Sequence, residues 1–225
     1  MKYILISSVL LSGLFAISPQ KLPTVGVQVV HQDDKTKVSY TIERTIPKEC
    51  LKIPIDEEYI WGKEKPNVSN NCKETFVYTA GRIQPMSIHK DIKTVGEIEV
   101  LEFIKEKVSK DPSKYALVDS RKDGWYKQMT IPTAISVPYT DLEYDEDLAE
   151  FYYAALEKLG IKKTKEGYDF SKAKTIMMFC NGSWCGQSPK AIKELLKMGY
   201  PPQKILWYRG GLQAWKGVGL TTTQK

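Results

Sequence analysis

Histidine is scarce in this chain: only 2 occur, His31 and His89, isolated from each other and from the cysteines. A zinc site needs a second Cys or His pair at ligand spacing, and none follows, so neither a metal nor an organic cofactor is expected. Both histidines read as surface or packing residues. Basic runs are missing too. Lys and Arg number 33 against 27 Asp and Glu, a net +6, with the signs interspersed. A nucleic-acid partner would leave a basic stripe or a reading motif, and neither is present; a small anionic substrate suits such a surface better. After Ile17 no apolar stretch is long enough to span a membrane. What remains is ordinary globular material. The 225 residues are 42% hydrophobic and 27% charged, enough for one full domain and a smaller element.

The first residues, MKYILISSVLLSGLFAISPQ, place one Lys before an uncharged apolar stretch from Tyr3 to Ile17. This is the layout of a secretory signal peptide over residues 1–18, with a small-residue cleavage site at or just after Ala16. An uncleaved anchor is the alternative, but the stretch is short for a spanning helix. Cleavage removes Lys2 and leaves about +5 (6 minus 1). The expected location is therefore periplasmic or secreted, with no stable membrane association afterwards. Export gives meaning to the 4 cysteines, because an oxidising compartment permits disulfides. Four cysteines allow three connectivities, and proximity favours Cys50–Cys72 as a structural bridge. Such a staple would contribute roughly 3 kcal/mol on the loop-entropy account.

Residues 19–93 read as a β-rich N-terminal extension. TVGVQVVH and KVSYTIERTI alternate apolar and polar residues around a QDDKTK turn, and ETFVYTAGRI is a third strand candidate. Residues 94–225 read as an α/β domain with a mainly parallel central sheet flanked by helices. TVGEIEVLEFIKEKVSK carries a helical stripe at Val95, Ile98, Leu101 and Ile104, with Thr94 and Glu97 spaced as a capping box. YALVD, TAISVP and KILWY are strands. DEDLAEFYYAALEKLG is a helix closed by Gly160. KTIMMFC is an unbroken apolar run, as in a strand covered on both faces. SPKAIKELLKMGY follows as a helix, with Ser188 as N-cap, Pro189 in first position and Gly199 at the end.

MMFCNGSWCGQS (Met177–Ser188) therefore lies between a strand end and a helix N-terminus, where open α/β sheets bind ligands. Gly182 and Gly186 allow backbone angles that would turn successive N–H groups inward as a nest. Those amides, with the helix dipole, should lower the pKa of Cys180 and hold an anion before its sulfur. The reading is a nucleophilic cysteine with an anion cradle built from Asn181, Gly182, Ser183, Trp184, Cys185, Gly186 and Gln187.

Three motifs in order carry a resemblance to a known family. DSRKDGWYKQMTIPTAISVP (Asp119–Pro138) fits a D-x-R segment followed by I-P-x-A-I-x-V-P; FCNGSWCGQSPKAIKELLKMGY supplies the strand, cysteine loop and helix; WYRGGLQAWKGVGL closes with G-G-x-x-A-W. Over roughly residues 94–220 the chain resembles the rhodanese (sulfurtransferase) family. That resemblance implies a persulfide mechanism: Cys180 takes sulfane sulfur from a donor such as thiosulfate and passes it to a thiol or cyanide. It also implies supporting roles for Asp119 and Arg121. The family's loop usually carries Arg before the helix-starting Ser and is two residues shorter. Here Gln187 stands in that place, and Met129 and Thr130 replace a usual Gly-His. Arg209 is the candidate to supply the missing charge, and Trp184 would line a pocket for an organic donor.

Cys185 has two readings: a bystander or disulfide partner of Cys180, or a resolving thiol that expels sulfide. A thiol–disulfide redox or binding module using the Cys180/Cys185 pair is accordingly the alternative function. A phosphatase or arsenate reductase of related fold would need a basic loop residue, which CNGSWCGQS lacks. Trp207, Tyr208 and Trp215 read as packing residues.

Overall fold

The structure, a computed structural model, describes residues 26–33, 35–43, 47–50, 69–73, 84–183 and 185–223. The signal segment, the third strand candidate ETFVYTAGRI and Trp184 lie outside them. The alternating segments at the start fold as expected. Strands β1 (Val27–Gln32) and β2 (Lys37–Ile42) pair antiparallel, Val27 opposite Ile42 and Gln32 opposite Lys37. The Asp33 carboxylate closes the turn by accepting the amides of Lys35 and Thr36 at 3.0 and 2.8 Å. A short helix α1 (Asn70–Lys73) carries Cys72, which is disulfide-bonded to Cys50 with Cα atoms 5.5 Å apart. The bridge expected from proximity is present.

From Lys93 the chain alternates strand and helix. The order is β3 (Lys93–Val95), α2 (Glu97–Phe103), β4 (Tyr115–Asp119), α3 (Asp123–Gln128), β5 (Ile135–Ser136) and α4 (Ala149–Lys158). A small antiparallel pair follows, β6 (Lys162–Lys163) and β7 (Tyr168–Asp169), then β8 (Thr175–Phe179), α5 (Gln187–Met198), β9 (Ile205–Tyr208) and α6 (Gly211–Gly217). Five strands form one parallel sheet in the order β3-β9-β8-β4-β5. β8 is central, and its apolar run divides between two cores, as a strand covered on both faces requires. Ile176 and Met178 pack with Ala155 and Leu156 of α4 and with Ala191, Ile192 and Leu195 of α5. Met177 and Phe179 face Val100, Leu101 and Ile104, together with Trp215. Val27, Val29 and Ile42 of the hairpin join this second core.

Four local expectations shift. The cap of α2 is Gly96, whose amide is taken by the Glu99 carboxylate at 2.9 Å; Thr94 is a strand residue instead. Past Phe103 the helix widens into a π turn over Ile104–Val108, with Ser109 N–H bonded to Ile104 O at 2.9 Å. TAISVP pairs only at Ile135–Ser136. Helix α5 begins two residues early: Gly186 is its N-cap and Ser188 is inside the first turn. Pro189 stays in that turn, where its missing N–H would be unpaired anyway. Gly199 ends α5 with φ +93°, a left-handed cap that disfavours any side chain.

Candidate active site

Cys180 follows the last residue of β8 at the centre of the sheet, and its loop returns to α5 across the C-terminal strand ends. The loop is held from the other side by α6. Leu212 and Gln213 donate their amides to the carbonyls of Cys180 and Asn181 at 2.9 and 2.8 Å. Gly211 makes that approach feasible: its φ is +57°, and a β-carbon there would overlap the Cys180 carbonyl oxygen and come within 2.7 Å of the Gly182 nitrogen. The G-G of the closing motif is thus a docking surface for the cysteine loop.

Cys180 and Cys185 are both free thiols, 3% and 4% exposed. The indole N–H of Trp207 donates to Ser188 Oγ at 3.0 Å, and Ser188 donates its own hydroxyl to Cys180 Sγ at 3.2 Å. Losing the N-cap role frees Ser188 for this contact. Trp207 is buried as expected, and its N–H aims the hydroxyl as well. Sequence reasoning missed this relay, although a buried Trp must find a partner for its N–H.

The expected amide nest is arranged differently. Neither Gly182 nor Gly186 adopts positive φ. Among the described residues, the amides of Asn181 and Gln187 act on Cys185 and that of Ser188 acts on Cys180. The Asn181 side-chain Nδ2 also lies 3.9 Å from Cys185 Sγ, and Gln187 Oε1 lies 3.6 Å from it. Burial pushes the Cys180 thiol well above its ordinary value, and the neighbouring Cys185 adds to that; the Ser188 hydroxyl and amide oppose the shift. The expectation of an acidic Cys180 is therefore reversed. The acidic thiol is Cys185, lowered to about 6 chiefly by the Cys180 thiol donating to its sulfur, with desolvation opposing and the amides of Gln187 and Asn181 assisting. The two sulfurs titrate as a coupled pair, with Cys185 as the end that loses its proton first.

Arg209 does not replace the absent loop arginine. Its guanidinium donates to Gln84 O at 2.9 and 3.1 Å and to Pro85 O at 3.2 Å. Gln84 in turn gives its amide to Ser183 O at 2.8 Å, so the segment before β3 crosses the loop as a strap. Gln84 and Pro85 carry no recognisable motif, and only the chain's path brings them here.

Asp119, the last residue of β4, and Arg121, just beyond it, form a buried pair one strand from Cys180. Arg121 grips both carboxylate oxygens and the Met129 carbonyl, and the Thr130 hydroxyl donates to Asp119 at 2.7 Å. Met129 and Thr130 thus serve this network. The Ser120 amide ties the turn to Phe179 O at 2.9 Å, just before Cys180. His31 is buried, with Nδ1 accepting the Thr133 amide at 3.2 Å, and His89 lies in a turn before β3. Among the described residues no cluster of His, Cys, Asp or Glu could hold a metal ion, and no helix is long and apolar enough to cross a membrane.

No curated protein matches the chain. Among solved structures, BH2092 protein of Bacillus halodurans is 23% identical over 59% of this chain and 77% of its own, with a TM-score of 0.40. The human single-domain sulfurtransferase TSTD1 is 19% identical over 55% of this chain and 94% of its own, with a TM-score of 0.35. An uncharacterised protein of Saccharomyces cerevisiae is 20% identical over 57% and 93%, with a TM-score of 0.38. The family described as Rhodanese-like domain matches residues 100–217, from within α2 through the last residue of α6. With more than half its length matched and the cysteine loop inside the match, the chain belongs to the rhodanese-like domain family.

Proposed function

We propose that the protein is an exported sulfurtransferase in which Cys180 carries sulfane sulfur as a persulfide. The observation that carries this reading is the hydroxyl of Ser188, fixed by Trp207 and directed at Cys180 Sγ where the central strand ends. A directed O–H stabilises negative charge on that sulfur, both as attacking thiolate and as persulfide. Cys185, already anionic at rest, takes the Cys180 proton as the donor arrives. The Cys180 thiolate then attacks the sulfane sulfur, one S–S bond forms, and the donor's own S–S bond breaks with release of its remainder.

The charge balance favours an organic persulfide or polysulfide over thiosulfate. No loop side chain is basic, Arg209 is occupied by backbone carbonyls, and the resting site is already negative. A dianion entering this buried site has nothing to neutralise it except amides. Asp119 and Arg121 position the strand end and take no part in bond making. The acceptor is a thiol or cyanide.

The test is anaerobic incubation with an organic persulfide, followed by mass spectrometry and quantitation of the donor thiol. One equivalent of donor thiol per chain is expected, and none from Cys180→Ser. Equal turnover by Cys180→Ser would remove Cys180 as the carrier. The low pKa of Cys185 favours a second reading, plain thiol–disulfide exchange. On that reading the pair would oxidise with a sulfur-free disulfide as readily as with a persulfide.

A further inference from the structure

The family's chemistry uses one sulfur, and this loop buries two. Cys185 sits in the two-residue-longer loop, with its peptide carbonyl 3.4 Å from Cys180 Sγ and its own sulfur in hydrogen-bonding reach of the Cys180 thiol. Asn181 and Gln187 gather around the Cys185 sulfur and leave Cys180 to Ser188. Each sulfur therefore has its own polar support. A bystander thiol in a buried position would have no need of polar side chains from both Asn181 and Gln187. We propose that Cys185 is a resolving residue: it attacks the sulfur of Cys180 in the persulfide, expels the outer sulfur as hydrosulfide and leaves a Cys180–Cys185 disulfide.

This inference rests on the persulfide reading above and specifies where its sulfur goes. The step balances without an external oxidant. Cys180–S–S⁻ and the Cys185 thiol give the Cys180–Cys185 bond and HS⁻; the Cys185 proton leaves on the outer sulfur. The sulfane sulfur is reduced to sulfide, and the two cysteine sulfurs are oxidised to the disulfide. The site favours this direction twice. The Asn181 side-chain Nδ2, with the backbone amides of Asn181 and Gln187, favours Cys185 as an attacking anion, and the Ser188 hydroxyl stays on Cys180 Sγ, the atom attacked. A dithiol reductant must then reopen the bridge, by two successive thiol–disulfide exchanges, before another turnover. The protein becomes a sulfane reductase, taking electrons from a dithiol and delivering hydrosulfide.

The experiment uses the mature chain, reduced and freed of small thiols, with an organic persulfide and no added acceptor. Hydrosulfide and intact mass are followed together. Wild type should release one equivalent of hydrosulfide per chain and lose two hydrogens as the bridge forms. Cys185→Ser should gain one sulfur atom and release no hydrosulfide. Adding a dithiol should make wild type catalytic and leave Cys185→Ser at a single event. A wild type that keeps the extra sulfur without forming a bridge would overturn the resolving role and leave the persulfide reading intact. Failure of both proteins to take sulfur, with intact folds by circular dichroism, would instead overturn the persulfide reading beneath it.

Discussion

At the scale of single residues, the site is decided by which polar groups each sulfur receives. The coupled pair gives a pH prediction. Cys185 is neutral below about 6 and anionic above it, so alkylation of the pair should rise as pH passes through about 6. A second rise belongs to Cys180 at alkaline pH, because burial raises its value. In Cys185→Ser the first rise should vanish, and a rate–pH profile with iodoacetamide reads both. Removing the Ser188 hydroxyl takes away a hydrogen bond to a charged sulfur, roughly 1.5–3 kcal/mol. Ser188→Ala should therefore slow sulfur uptake about ten- to hundred-fold, and Trp207→Phe should slow it less, because the hydroxyl survives without its aim; single-turnover rates distinguish them. The position of Cys180 was legible, since an apolar run followed by a polar, glycine-containing loop marks a strand end. Which sulfur holds the charge was not. That depends on where individual amides point, and Gly182 and Gly186 reach their places without the left-handed angles expected of them.

Elements hold the loop by backbone apposition and by one buried ion pair. Gly211→Ala would drive a methyl group into the Cys180 carbonyl at a positive φ, a strain of roughly 1–3 kcal/mol. A lowered Tm and impaired sulfur uptake should appear together, because the disturbed contact belongs to the loop itself. Arg121→Ala would leave the buried Asp119 carboxylate without its guanidinium, a destabilisation of about 3–5 kcal/mol by chemical denaturation. Pairing it with Asp119→Asn should recover part of the loss, since no buried charge would then remain. If Arg121 instead contacted substrate, the double variant would regain stability and still fail to turn over. Helices α4 and α5 and strands β4, β8 and β9 were readable from periodicity and from glycine stops. The α2 cap was misread because Thr94 and Glu97 fit the spacing, whereas pairing of Lys93–Val95 with β9 claims Thr94 for the sheet. A local signal lost to a tertiary contact.

For the whole molecule, the hairpin read from sequence as part of a separate extension carries three core residues of the α/β unit. Val27, Val29 and Ile42 pack in one cluster with Val100, Leu101, Ile104 and Trp215. Alternation told which face of β1 was apolar; it carried no information on what would cover that face. The chain's far end fastens the same hairpin. Thr221 exchanges backbone and side-chain hydrogen bonds with Glu43 at 2.9 Å, and the Thr223 hydroxyl accepts the Thr130 amide at 2.9 Å. Thr130 bonds to Asp119, so a continuous polar path runs from the hairpin through the C-terminal tail to the strand beside the cysteine loop. A hairpin attached this way should melt with the domain as one cooperative unit. Ile42 is fully buried, and Ile42→Ala should cost about 2–5 kcal/mol by opening a cavity against α2. Its denaturation should remain a single transition, with hairpin and sheet amides losing hydrogen-exchange protection together. Two transitions, or hairpin amides exchanging at a lower free energy than those of β8, would make the hairpin a separable appendage. Glycine replacement of Thr221 supplies the complementary measurement, because it loosens the tail and leaves the core intact. It should weaken hairpin protection and, through Thr223 and Thr130, that of β4, while residues of β9 on the other side of β8 stay unchanged.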